Sequence, residues 1–167
     1  PRGRREAAQA GRRARAAVRA RDQARVRQDQ EVLLQHATDE TEDLSYPPEL
    51  VLMVANAIEI SRVLAYCNSH KIPVTVRGGG TGLSGGALAV HGGVVLNMQA
   101  FNKIIKIDEQ NLQVVVEPGV ITEVLQNAVK EKGLFYPPDP SSKGTCFIGG
   151  NVSENSGGPR AVKYGVV

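Results

Sequence analysis

The densest chemical signal in the chain is Gly78-Gly79-Gly80-Thr81-Gly82-Leu83-Ser84-Gly85-Gly86, nine residues of which six are glycine. Glycine accepts either sign of φ, so consecutive backbone N–H groups can converge on one anion and hold phosphate without a lysine. No Gly-Lys-Ser/Thr ending follows, which excludes the ATPase P-loop, and no helical pattern follows at once, which fits a Rossmann fingerprint poorly. A phosphate or pyrophosphate loop between two strands is the sharper reading. A glycine hairpin without a ligand is the bland one, and position within a βα layer tips the balance towards binding.

The second candidate runs from Pro137-Pro138-Asp139-Pro140-Ser141-Ser142-Lys143-Gly144-Thr145 through Ile148 to Gly158. A polar loop of about twenty residues is uncommon inside a compact domain unless it binds something. Its glycines suit a flat ring packed at short range, and its Ser, Thr and Asn side chains can serve ring oxygens and nitrogens.

The elements that must position these segments follow from periodicity. Ser45-Tyr46-Pro47-Pro48 breaks the chain before an apolar run, Leu50 to Val54, that reads as a buried strand. Ala57 to His70 places Ile60, Val63, Leu64 and Cys67 at i, i+3, i+4 and i+7 behind Asn56 as N-cap, which predicts an amphipathic helix packed on a sheet. Pro73 opens a short strand, Val74 to Val76, so strand, helix and strand form a βαβ unit with the parallel pairing such crossovers favour. Three more strands are expected at Val94–Asn97, Ile104–Ile107 and Leu112–Val116. A second helix, Thr122 to Lys132, carries Glu123 in its first turn and Gly133 past its end, with Val124, Leu125, Ala128 and Val129 as its buried face.

Composition sets the bounds. The chain has 167 residues, 41% hydrophobic and 22% charged, and no apolar run approaches the length of a membrane span. That is one domain with a real core, not two of ordinary size. The net charge of +3 conceals a division: residues 1–30 hold ten Arg against Glu6, Asp22 and Asp29, which is +7, leaving −4 for residues 31–167. The Arg/Ala-rich segment has no Leu, Ile, Phe or Tyr, so it reads as a disordered or solvated-helical tail outside a fold that begins at residue 31. Nucleic acid is a hypothesis for that tail alone, because the acidic remainder repels phosphate at long range, and no specific nucleic-acid partner is expected. The chain starts at Pro1 and stops at Val167 within a continuing pattern, so a piece of a longer protein is expected.

Bland readings suit several conspicuous residues. Cys67 lies on an apolar helix face, and Cys146, between Thr145 and Phe147, has no adjoining base, so both are expected to be packed thiols in a reducing, cytoplasmic setting. His91 stands beside Gly92-Gly93 and reads as a surface turn residue. Asp139, between prolines, could be a ligand contact or a turn former.

Four motifs in order resemble the FAD-binding domain of the vanillyl-alcohol-oxidase/p-cresol-methylhydroxylase family. They are Val76 to Gly86, Glu117-Pro118-Gly119-Val120, Asp139 to Gly158, and Lys163-Tyr164-Gly165. Within that family they are most similar to the glycolate oxidase D-subunit and D-lactate dehydrogenase branch. The resemblance runs from about Leu33 to Val167 and does not touch residues 1–28.

It implies an α+β fold, a mixed βαβ-containing subdomain followed by the start of a more antiparallel one, with FAD between them. Arg77, Gly78, Gly79, Gly80, Thr81, Gly82 and Leu83 would wrap the pyrophosphate. Gly119, Asp139, Pro140, Ser142, Thr145, Gly149, Asn151, Ser153, Glu154, Asn155, Ser156 and Gly157 would line the flavin and ribityl region. Covalent relatives carry a His in the glycine loop where Thr81 stands here, so the resemblance implies non-covalent FAD.

The implied activity is oxidation of a small 2-hydroxy acid such as D-lactate or glycolate to its 2-oxo acid, by hydride transfer to flavin N5 and onward to an electron acceptor. The family's base and metal site would lie beyond Val167, so the catalytic residues stay unknown and no metal ligand is assigned. Partner subunits and peripheral membrane attachment are left open. Two alternatives stand beside this reading, a non-enzymatic FAD or nucleotide module and a flavoenzyme of the same fold with other chemistry.

Overall fold

A computed structural model describes residues 26–167. The readings made for residues 1–25, including the Arg-rich tail and its nucleic-acid hypothesis, lie outside the described residues. The chain divides into two units, one ending at Ala100 and the other spanning Phe101–Val167.

The first unit is built on a four-stranded sheet of β1 (Val26–Arg27), β2 (Leu50–Met53), β3 (Val74–Arg77) and β4 (Val94–Asn97), in the order β1-β2-β4-β3. Strands β2 and β3 both run parallel to β4. The expected crossover from β2 through a helix to β3 is therefore present, but it skips a strand, which corrects the simple adjacent pairing. The reason is burial: Val94, Val95 and Leu96 are all but inaccessible, and a continuous apolar run of this kind belongs at the centre of a parallel sheet.

Strand β1 also corrects the boundary placed at residue 31. Val26 and Arg27 pair antiparallel with Leu52 and Val51, and Val26 is buried, so the fold already includes the end of the supposed tail. A two-residue edge strand carries no periodicity, which is why composition alone misses it. Helix α1 (Gln30–Gln35) follows and sets Val32 and Leu33 against Val51, Ala89 and Val95.

Helix α2 (Ala57–His70) has the predicted bounds. The Asn56 side chain accepts a hydrogen bond from the Glu59 amide at 2.9 Å, satisfying a donor that the first turn leaves over. Lys71 then ends the helix in the left-handed region at φ 53°. Of the expected apolar face only Cys67 is buried, whereas Leu64 is 44% exposed.

In the second unit, β5 (Ile104–Asp108) and β6 (Gln113–Val116) form an antiparallel hairpin. Strict alternation would put Ile104 and Ile107 on opposite faces. A register shift between Ile104 and Lys106 inserts one residue, so both isoleucines pack on the same core.

That core is Val120, Leu125, Val129 and Ile148, with Leu125 and Val129 supplied by helix α3 (Thr122–Lys130). The helix ends two residues before the expected Lys132, and Val124 is exposed. Thr122 takes the buried place instead, one turn before Leu125. The segment expected as one long loop contains two short helices, α4 (Ile148–Ser153) and α5 (Ala161–Tyr164). Among the described residues no helix is long and apolar enough to cross a membrane.

Candidate functional site

Parallel strands end together, and ligands of open α/β sheets bind in the crevice outside those carboxyl ends. Here Met53, Arg77 and Asn97 close the three parallel strands, with Arg77 and Asn97 in register, and the glycine loop springs from the end of β3.

The Arg77 side chain is buried, only 8% of the residue being exposed. Its Nη2 donates to the Thr38 carbonyl at 2.8 Å and to the Gln35 carbonyl at 3.4 Å. Burial pulls its pKa below the usual guanidinium value, and the nearby Asp39 carboxylate opposes that pull. Nη1 is buried with no hydrogen-bond partner among the described residues.

Gly80 lies directly against this guanidinium: its φ is +71°, and a Cβ there would collide with Nη2 and Cζ. Gly82 differs. Its φ is outside the left-handed range, and a Cβ there would meet no atom of the described chain within 4 Å. Nothing in the packing of the described residues asks for glycine at that position, and the same holds for Gly150 in the second segment.

A short strap, residues 35–41, lies under the loop. Besides its two carbonyls on Arg77, it donates from the Glu40 amide to the Gly82 carbonyl at 3.1 Å and accepts from the Gly85 amide on Thr41 Oγ1 at 2.9 Å. Sequence reasoning missed the strap, because its partners lie about forty positions away along the chain.

The second candidate segment is tied to itself. The Asp139 carboxylate accepts from Lys143 Nζ at 3.0 Å and Gln126 Nε2 at 3.4 Å, and pairs with Arg160 Nη2 at 3.4 Å. These neighbours, Lys143 first and Gln126 next, hold its pKa below the ordinary carboxylate value. Its amide donates to the Gly157 carbonyl at 3.1 Å, which pins the two ends of the segment together. Pro140 and Ser142 accept from Lys143 and Cys146, and Thr145 folds back on the Ser142 carbonyl, so this stretch is a set of tight turns.

Several other residues assigned to the flavin by resemblance also have internal work here. Asn151 is buried and donates from Nδ2 to Thr122 Oγ1 at 2.6 Å, while Thr122 in turn meets the Cys146 sulfur at 3.1 Å. Gly149 is required because a Cβ would stand 2.7 Å from Pro118 Cβ. Gly157 makes room for Ala161 and Val166, and the buried Gly119 donates its amide to the Phe101 carbonyl at 2.7 Å. Ser153 bonds the Gly149 carbonyl, Asn155 adopts φ 53°, and Ser156 donates to the Asn151 carbonyl. Ser153, Glu154 and Asn155 are exposed. Both cysteines are free and buried, and His91 is exposed beside two positive-φ glycines, as expected.

Residues 48–167 match the family described as the FAD binding domain. The chain belongs to that family. It is 49% identical over 133 residues to the glycolate oxidase subunit GlcD of Bacillus subtilis, covering 80% of this chain and 28% of that protein. It is 43% identical over 118 residues to a D-lactate dehydrogenase of Anaerostipes hadrus, covering 71% of this chain and 25% of the relative. It thus spans about a quarter of the length of the curated relatives it matches.

Among solved structures, alkyldihydroxyacetonephosphate synthase superposes with a TM-score of 0.79 at 18% identity, over 95% of this chain and 34% of the other. p-Cresol methylhydroxylase does so with a TM-score of 0.71 at 24% identity, over 89% of this chain and 29% of the other. These likenesses establish the α+β, PCMH-type FAD-binding fold. The residues present suit the family's cofactor, since the glycine loop offers an open cradle at Gly82 and a buried cation, with one donor free, beneath it.

Proposed function

We propose that this chain supplies the nucleotide-holding part of an FAD-dependent oxidoreductase that oxidises a small 2-hydroxy acid. The observation that carries the reading is the pairing of an unexplained glycine, Gly82, with the orphaned Nη1 of buried Arg77 beside the loop. Desolvated cations bind phosphate more strongly than exposed ones because water screens them less.

In this reading Gly78, Gly79, Thr81, Gly82 and Leu83 present backbone amides to the pyrophosphate, and Arg77 supports them from below. Gly80 keeps space for that guanidinium. Pro140, Ser142, Thr145, Ser153, Glu154, Asn155 and Ser156 remain the proposed lining for the ring and ribityl chain. Gly119, Asp139, Gly149, Asn151 and Gly157 shape those turns through the internal bonds described above. When bound, FAD supplies the hydride acceptor; the chain's part is to hold, orient and desolvate it.

The substrate class rests on the names of the relatives, glycolate oxidase subunit and D-lactate dehydrogenase. An electron acceptor completes the turnover. FAD is held non-covalently because Thr81 has no ring nitrogen to alkylate. The two free buried thiols suit a reducing, cytoplasmic setting.

The test is purification of the full-length protein followed by acid precipitation and reduction assays. A yellow protein that releases all its flavin into the supernatant, and bleaches with glycolate or D-lactate, supports the reading. Flavin fluorescence retained on the denatured band overturns the non-covalent assignment, and absence of bound flavin overturns the whole.

A further inference from the structure

The sheet end holds one polar pair that the phosphate-site reading does not use. Asn97, the last residue of β4, is 7% exposed, and its Nδ2 lies 3.0 Å from His36 Nε2. The other ring nitrogen, Nδ1, is 2.8 Å from the Val32 carbonyl, which can only accept. Nδ1 therefore carries the proton, and Nε2 of the neutral ring accepts from Asn97. The amide orientation is fixed as well, because Asn97 Oδ1 accepts from the Gln99 amide at 2.9 Å.

His36 caps the C-terminal end of α1 and lies within the strap, between Gln35 and Thr38, whose carbonyls hold Arg77. We propose that His36 and Asn97 are positioning residues for the phosphate loop: their hydrogen bond clamps the strap to the sheet, and the strap holds Arg77 and Gly82 in place. This inference rests on the flavin-nucleotide reading of the loop. Neither residue reaches the ligand in it; each acts through Arg77.

The clamp works only with a neutral ring. Protonation would put an N–H on Nε2 facing the Asn97 N–H, and flipping the amide would move the same conflict onto the Gln99 amide. Facing the ring are the Val32 carbonyl from α1, Asn97 from β4 and the Arg77 cation from β3, while the strap's own Asp39 acts on Arg77. Burial foremost, then the Arg77 charge, keeps the ring's pKa below its ordinary value against the opposing bond to Val32, so the neutral form prevails at physiological pH.

The experiment titrates the full chain with FAD, and separately with ADP as a probe for the phosphate site alone, from about pH 8 to about pH 5, across the range in which histidine titrates. His36→Leu and Asn97→Leu should each weaken both ligands about 10-fold or more, as loss of orienting groups does at other preorganised sites. The double variant should lose little more than either single one, since the two residues share one bond. The unsubstituted chain should lose affinity on the acid side, and His36→Gln, whose amide oxygen can still accept from Asn97, should recover most of the affinity and abolish that fall.

Thermal melting without flavin checks that each variant is folded, and if His36→Leu fails that check the Gln variant and Asn97→Leu still decide. Unchanged affinity in folded His36→Leu or Asn97→Leu overturns the positioning role. So does affinity that rises in acid, because the ring would then act by direct attraction to phosphate. An unsubstituted chain that binds neither FAD nor ADP at pH 8 instead overturns the proposed function itself.

Discussion

The two glycine-rich segments look alike as strings of letters and differ in what their glycines are for. In the Asp139 to Gly158 segment the chain explains most of its own composition: Gly149 clears Pro118, Gly157 clears Ala161 and Val166, and Gly158 sits at φ 121° against the Asp139 carbonyl, with Gly150 the exception that clears nothing among the described residues. In the Gly78 to Gly86 loop the explanation is incomplete. Gly80 clears Arg77, but among the described residues Gly82 clears nothing and a buried guanidinium N–H is left unpaired. A residue type that local packing does not demand points outward, to a ligand, more strongly than glycine content does.

The largest effect should come from substituting the unexplained glycine. Gly82→Val is expected to weaken FAD binding by about 100-fold or more, roughly 2.7 kcal/mol, while barely moving the melting temperature of the flavin-free chain. Titration of flavin fluorescence beside a thermal melt checks both halves. A large fall in melting temperature would erase the contrast between the segments.

Gly149→Val should behave in the opposite sense. Forcing a side chain against Pro118 overpacks the second unit and should cost about 1–3 kcal/mol of stability, read as a lower denaturant midpoint. Asn151→Leu removes the donor to Thr122 and leaves that hydroxyl to the Cys146 sulfur and carbonyl, which should cost about 1–2 kcal/mol. If Asn151→Leu instead leaves stability alone and abolishes flavin binding, Asn151 is a cofactor contact and the segment is less self-contained than its bonds indicate.

The smallest effect concerns pH. His36 titrates below its ordinary value of 6.5 in the folded chain, so between the two values the unfolded chain binds more protons. Stability should therefore be level above about pH 6.5 and decline as pH falls from there towards the folded pKa, a slope that His36→Gln removes. Melting curves collected across that window check the sign.

Much of the fold was legible from local pattern. Ala57–His70 was readable because a 14-residue amphipathic run behind an Asn cap leaves little choice, and the hairpin strands were readable from β-branched runs between turn residues. The glycine loop was readable as a loop because no other residue permits so dense a set of backbone conformations. By contrast, β1 escaped notice because two residues hold no period, and Thr122 replaced Val124 at the helix interface because Asn151 and Cys146 offered its hydroxyl partners from more than twenty positions away.

The amino-acid sequence by itself thus determined the element types, the glycine loop and the family, since all three rest on neighbours within a few residues of one another. Tertiary structure decided that β4 divides β2 from β3, that Asn151 faces inward, and that His36, Asn97 and the strap stand beneath the loop. The physical reason is distance along the chain. Arg77 meets Thr38 across 39 positions and Asn97 meets His36 across 61, and such bonds acquire partners only when the buried strands bring their ends to one edge of the sheet.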